Sequence, residues 1–189
     1  LRTALDGGNQ TENLLLFEDL VGTPADLEVP LLEWLRGAQL PMRDVYLEWT
    51  HRGPDSVRGH GANFSFALFK TPLSGLSFRA VPNSDPWGMG VIIEYSDNAN
   101  FTGVVLFSSG EVSTFEVIDG AATWWGQGRV GIESDAQSVN VELVRSDEMA
   151  TVRFNDTSFN FASSHPPILG LVINDSDVLF QNLVWEIAP

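Results

Sequence analysis

The segment Trp124-Trp125-Gly126-Gln127-Gly128 concentrates ligand-binding chemistry more densely than any other stretch of this chain. Indole faces stack on the flat apolar faces of sugar rings, and an amide such as Gln127 both donates to and accepts from hydroxyls. The flanking glycines let a ligand come close to the backbone. Trp87, in Asp85-Pro86-Trp87-Gly88, offers a further indole. Adjacent residues of an extended chain point to opposite sides, so one of Trp124 and Trp125 is expected in the core and the other outside. Packing accounts for the buried one; the exposed one calls for a ligand or a partner subunit.

Other side chains weigh less. Asp97, Asp175 and Asp177 sit in Asp/Asn-rich stretches and are hard oxygen ligands of the kind Ca²⁺ takes. Their spacing matches no dedicated calcium loop, and turn chemistry explains them as well. No resident cofactor is expected, Ca²⁺ being the metal these residues would suit. Glycoside hydrolysis needs two carboxylates flanking one bond. Glu116 and Asp119 are three residues apart, which on a strand turns them to opposite faces, and 25 acidic residues make chance pairs common. Catalysis is therefore disfavoured. His51 and His60 share a stretch with Arg52, Asp55 and Arg58, whereas His165 is distant, and no Ser-His-Asp set can be assigned.

Composition narrows the partners. The chain has 189 residues, 43% of them hydrophobic, enough for one domain with a sizeable core. Ten basic residues against 25 acidic ones give a formal charge of −15, which repels nucleic acid and anionic membranes. Cysteine is absent, so disulfides and Cys-ligated metals are excluded. No run reaches membrane-spanning length. Asn9, Asn63, Asn100, Asn155 and Asn174 each begin an Asn-X-Ser/Thr acceptor, where chance gives roughly one or two. That excess points to an extracellular or cell-surface glycoprotein.

The elements that must position these residues are strands. Met89–Tyr95, Thr102–Phe107 and Glu111–Ile118 read as a meander, broken by Ser96–Asn100 and by Ser108-Ser109-Gly110. The first two runs are apolar on both faces, as in strands covered on both sides. Asp44–Thr50, Asn63–Lys70, Gly75–Val81, Ala150–Phe154 and Ser158–Phe161 alternate or are β-rich. In Ser138–Arg145, Val139, Val141 and Leu143 face in; Val152 and Phe154 should join them. Leu169–Ile173 and Val178–Ile187 close the chain, with Asn174–Asp177 as a turn between them. His51–Ala62 reads as a loop, and Ala121–Ala136 as a long loop leading into a short strand at Val130–Glu133. Pro30 confines any helix to Leu31–Arg36, ending at Gly37. Leu1–Thr11 reads as a flexible lead-in or linker, followed by a single domain over 12–189.

The stretch from Gly90 to Gly120, GVIIEYSDNANFTGVVLFSSGEVSTFEVIDG, resembles the middle of concanavalin A-like (laminin G-like) jelly-roll domains of bacterial surface proteins and receptor kinases. The likeness extends over about the last two-thirds of the chain. Phe17-Glu18-Asp19 resembles the segment that opens the first strand of those domains, and Phe180-Gln181-Asn182 the Phe-Asp-Asn of their closing strand. Asn155-Asp156 stands where they carry Asn-Gly. The resemblance implies an all-β jelly-roll sandwich of two antiparallel sheets, with at most one or two short helices near the N-terminus. Relatives hold Ca²⁺ at a sheet rim. Related 3-keto-disaccharide hydrolase domains share the architecture, but the Glu-x-Asp-x-x-Glu strand of laminarinase-type enzymes is missing here. The expected role is a non-catalytic extracellular domain for binding or adhesion, to carbohydrate or to another surface protein. The alternatives are a self-assembling subunit of a filament or surface layer, and a glycoside hydrolase-like enzyme.

Overall fold

The computed structural model describes residues 14–15, 48–53, 55–69, 72–97, 99–132, 138–146, 148–163 and 168–188. The lead-in over 1–11, the helix over 31–36, the first part of the strand at 44–50, and most of the run containing Phe17-Glu18-Asp19 lie outside these residues. All regular structure among the described residues is β. The strands are β1 (Leu14–Leu15), β2 (Glu48–Gly53), β3 (Ser56–Phe69), β4 (Leu73–Pro82), β5 (Gly88–Asp97), β6 (Asn100–Phe107), β7 (Glu111–Ile118), β8 (Ala121–Arg129), β9 (Val139–Arg145), β10 (Met149–Phe154), β11 (Thr157–Ala162) and β12 (Gly170–Ile187).

All pairings are antiparallel, and the strands form two layers that share their longest members. One layer runs β8-β7-β6-β5-β12 and the other β12-β4-β9-β10-β11. β12 pairs with β5 through Gly170–Asn174 and with β4 through Val178–Ile187, while β3 runs beside it through both layers. The changeover falls at a bulge between Asn174 and Ser176, where Asp175 takes a φ of 53°. An aspartate tolerates that left-handed conformation, and the extra residue bends the strand without ending it. The expected turn at Asn174–Asp177 is therefore a bend inside one continuous strand.

The expected loop over His51–Ala62 is also corrected: it forms the end of β2 and the start of β3. Its glycines mark close packing. A methyl group on Gly59 would stand 3.0 Å from the Trp49 ring, which stacks on Phe180 at 5.8 Å and donates its indole N–H to Ser65 Oγ at 2.7 Å. The predicted loop around Trp124 is a strand as well. Asp119 and Gly120 adopt φ of 51° and 77°, the two-residue hairpin geometry matched to strand twist. The hairpin lays β8 along β7 with Trp125 opposite Thr114 and Trp124 opposite Phe115. Val130 to Ile132 follow outside any strand, and Glu133 lies outside the described residues, so the expected strand there is not observed.

The meander stands as predicted in β5, β6 and β7, and the first eight residues of β5 are all buried. Val139, Val141, Leu143, Val152 and Phe154 share the inner face, each no more than 2% exposed. Opposite them, Met89, Val91, Ile93, Val104, Leu106 and Val112 complete the core. The other face of β5, β6 and β7 carries a second, aromatic cluster that includes Phe64, Phe66, Tyr95, Phe101 and Phe115. Phe64 meets Phe115 edge-on at 4.7 Å, the arrangement that sets a ring's positive edge on its neighbour's negative face. A bulge at Ile93 flips the alternation, so Ile92 and Tyr95 fall on the same aromatic side. Burial, reinforced by the charge of Asp97, pushes the Tyr95 hydroxyl up to about 12.

Candidate functional site

The outer face of the β4-β9-β10 layer is polar, and register lines its side chains into rows. Ser77 of β4 lies opposite Glu142 of β9, which lies opposite Arg153 of β10. In the next row Arg79 lies between Asn140 on one side and Gln181 on the other. Gly75 and Ser77 are the small residues on this face, so β4 becomes the floor of a groove. Asn140, Glu142, Arg153 and Asn155 form one wall. Asn182, at a bulge with φ of 55°, stands on the other side, followed by Val184 and Glu186. Two adjoining open depressions lie along it, of about 310 Å³ at the Arg79 end and about 80 Å³ beyond Ser77.

Part of the wall is internally satisfied. Arg153 is ion-paired with Glu142, and Asn155 Oδ1 accepts the backbone N–H of Asn140 at 3.0 Å. The side chains of Arg79, Asn140 and Asn182 form no hydrogen bond or ion pair among the described residues. Three unpaired polar groups thus line a concave surface set on strands. Such a set offers donors and acceptors to a hydroxylated ligand without first breaking protein hydrogen bonds.

No protein-family model matches the chain, and no curated protein matches its sequence. Solved structures do match its fold. The carbohydrate-binding module CBM66 from Bacillus subtilis is 16% identical, with a TM-score of 0.59 over 75% of this chain and 92% of that one. A functionally unknown protein from Saccharomyces cerevisiae is 8% identical, with a TM-score of 0.51 over 79% and 94%. The fold is a jelly-roll sandwich.

Within this jelly roll the residues singled out in the sequence are dispersed. Trp87 is 9% exposed and packs in the core. Trp124 is half-buried on the aromatic cluster, 5.1 Å from Phe115 and 6.3 Å from Phe64. Trp125 points the other way and is 44% exposed. Gln127 is exposed at a bulge opposite the step from Val112 to Ser113. Among the described residues β8 has β7 as its one partner, so Trp125 and Gln127 sit on a sheet edge.

The acidic candidates do not converge. Among the described residues no three His, Asp or Glu side chains are placed to hold a metal. Asp97 accepts the Ala99 N–H at 2.8 Å and the Asn100 amide at 2.9 Å, which makes it a turn residue. Asp175 occupies the β12 bend. Asp177 is gripped by two nitrogens of Arg58, with His60 Nδ1 at 3.9 Å. Of the acceptor asparagines, Asn9 lies outside the described residues and Asn63 is on β3. Asn100, Asn155 and Asn174 are partly exposed.

The Arg58 hydrogen bonds hold the Asp177 carboxyl below its usual 3.8, the nearby charges of Arg58 and His60 adding to them. A depressed folded-state value contributes stability above the unfolded value and loses it as pH falls through the folded one. Arg58→Gln should therefore melt below the wild type at pH 6, with the gap shrinking once pH drops below 3.8. Melting curves across pH 2–6 check this; a gap that stays constant or widens toward acid contradicts it.

The groove residues were not singled out from the sequence. Asn140, Glu142 and Arg153 were legible as outward-facing positions on alternating strands. Their convergence depends on the register of β4 against β9, which no local pattern encodes.

Proposed function

We propose that this chain is a carbohydrate-binding domain that works outside the cell, and that it takes a saccharide in the groove along β4. The observation that carries this reading is the unpaired set Arg79, Asn140 and Asn182 around a floor of Gly75 and Ser77. Planar amide and guanidinium groups bridge neighbouring hydroxyls, and strands hold them in place before the ligand arrives. A carbohydrate-binding module of the same fold supports the reading. The sequence resemblance to bacterial surface domains and the Asn-X-Ser/Thr acceptors support an extracellular setting. One acceptor bears on the site itself. Asn155 lies in the groove wall, so a glycan attached there and a ligand in the groove would exclude each other.

The edge of β8 offers a second place for a sugar ring. Trp125 is exposed there, and its cross-strand neighbour Thr114 has a buried hydroxyl with no hydrogen-bond partner among the described residues. A glycan array followed by titration calorimetry on the best binder separates the two sites. Asn140→Ala and Asn182→Ala should each weaken binding by about tenfold, the scale of one net hydrogen bond to a ligand. Trp125→Ala should leave binding unchanged. The reverse pattern moves the site to β8, and an array on which nothing binds removes the carbohydrate reading.

A further inference from the structure

The β4 groove, taken as a saccharide site, also specifies the charge of its saccharide. The described residues place Arg58, Arg79 and Arg153 on the outer face of this layer. Arg58 is held by Asp177 and Arg153 by Glu142. Among the described residues Arg79 forms no hydrogen bond or ion pair. The chain carries 25 acidic residues against 10 basic ones, so carboxylates are abundant and cations scarce. The cross-strand neighbours of Arg79 are nevertheless Asn140 and Gln181, neutral amides on both sides. A guanidinium so placed has its fork of N–H donors free at the wide end of the groove. The narrow end has the opposite character. The Glu186 carboxylate lies over the floor there, with Oε2 3.4 Å from where a methyl on Gly75 would be.

We propose that the groove binds a saccharide bearing one anionic group, a carboxylate or a sulfate, with that group on Arg79 and a neutral part of the chain running toward Glu186. The guanidinium matches either anion with two parallel hydrogen bonds, and the unpaired amides of Asn140 and Asn182 take hydroxyls beside it. From Arg79 to Gly75 the floor is about 13 Å long, at roughly 3.3 Å per strand residue. A second anionic group carried to the far end would meet Glu186, so a chain ending in one acidic sugar is favoured over a polyanion acidic at every residue.

The test is calorimetry with matched probes: an oligosaccharide ending in glucuronic acid, its carboxyl-reduced counterpart, and the same neutral chain sulfated on its last residue. Wild type should bind an anionic probe roughly ten- to a hundredfold more tightly than the reduced one, the range of a charge-assisted contact. Sodium chloride should narrow that gap. Arg79→Gln should abolish the preference, weakening the anionic probe far more than the reduced one, and melt as the wild type does, since Arg79 is exposed. Whichever anionic probe binds more tightly identifies the group. Equal binding of charged and reduced probes, or a preference that survives Arg79→Gln, overturns this inference and leaves the carbohydrate reading standing. If neither these probes nor a broad glycan array shows binding, both fall.

Discussion

Val141→Asp should yield a chain with no cooperative thermal transition. Val141 is 2% exposed at the middle of β9, opposite Phe154 of β10 on one side and Phe78 of β4 on the other. An aspartate there sits among apolar side chains with no cation in its row. Burying an unpaired carboxylate costs several kcal/mol even when the group takes up a proton to shed its charge. A domain of this kind has about 5–15 kcal/mol in total. The loss also spreads, because β9 joins β4 to β10 and its distortion removes both pairings. The control is one residue away. Asn140 faces outward, and Asn140→Asp should change stability by about 0.5 kcal/mol at most, as exposed substitutions generally do. Far-UV and near-UV melting of the two variants checks the pair. A Val141→Asp protein that melts cooperatively near the wild-type temperature would falsify the inward assignment of β9.

That prediction was available from the sequence, and its reason shows what else was. β9 and β10 alternate at period two, with apolar residues on one side, and this pattern alone fixes which face is buried. The meander was legible because β-branched runs are separated by turns of recognisable chemistry, Ser108-Ser109-Gly110 and Asp119-Gly120 among them. The long strands were not. In β3 the glycines at 59 and 61 read as breaks, yet Gly59 is required by the nearby Trp49 ring, a contact with a different strand. In β12 the polar run Asn174–Asp177 read as a turn, because a bulge and a turn use the same residues. What separates them is whether a neighbouring strand continues alongside, as β3 does. The tryptophan pair was half legible: opposite orientations followed from extended geometry, but the glycines hid the strand. The groove was the least accessible feature. Its floor and walls come from β4, β9, β10 and β12, and the small floor residues acquire meaning only beside the larger ones that register sets next to them.

The second large effect concerns a charged pair inside the sandwich. After Val139, Val141 and Leu143, the next inward position of β9 is Arg145, where apolar alternation would call for another hydrophobe. Its side chain is 4% exposed and reaches the other layer, placing Nη2 3.7 Å from Glu94 Oε1, itself on a side chain 9% exposed. Nη1 also donates to the Ile93 carbonyl at 3.3 Å. The bulge at Ile93 explains why Glu94 is there to meet it, since the flipped alternation re-aims the residues that follow. Both ions have given up most of their hydration, so removing one takes from the other a counter-charge that offsets its desolvation. Arg145→Met alone, or Glu94→Leu alone, should cost about 3–5 kcal/mol, which lowers the melting temperature by roughly 6–20 °C in a domain of this size. The double variant should recover much of that loss, because two apolar groups of similar volume leave no charge to desolvate. The recovery should be incomplete, since the Ile93 carbonyl still lacks its Arg145 donor. A double-mutant cycle by thermal and denaturant unfolding reads the coupling directly. If the double variant loses the sum of the two single losses, the charges do not support each other and the pairing between layers is wrong. If the cycle shows strong coupling, β9 is pinned to β5 from within, on the face opposite the one that presents Asn140 and Glu142 to the groove. If the groove takes the proposed saccharide, the single variants should also weaken its binding, because the wall of the groove rests on the strand they loosen.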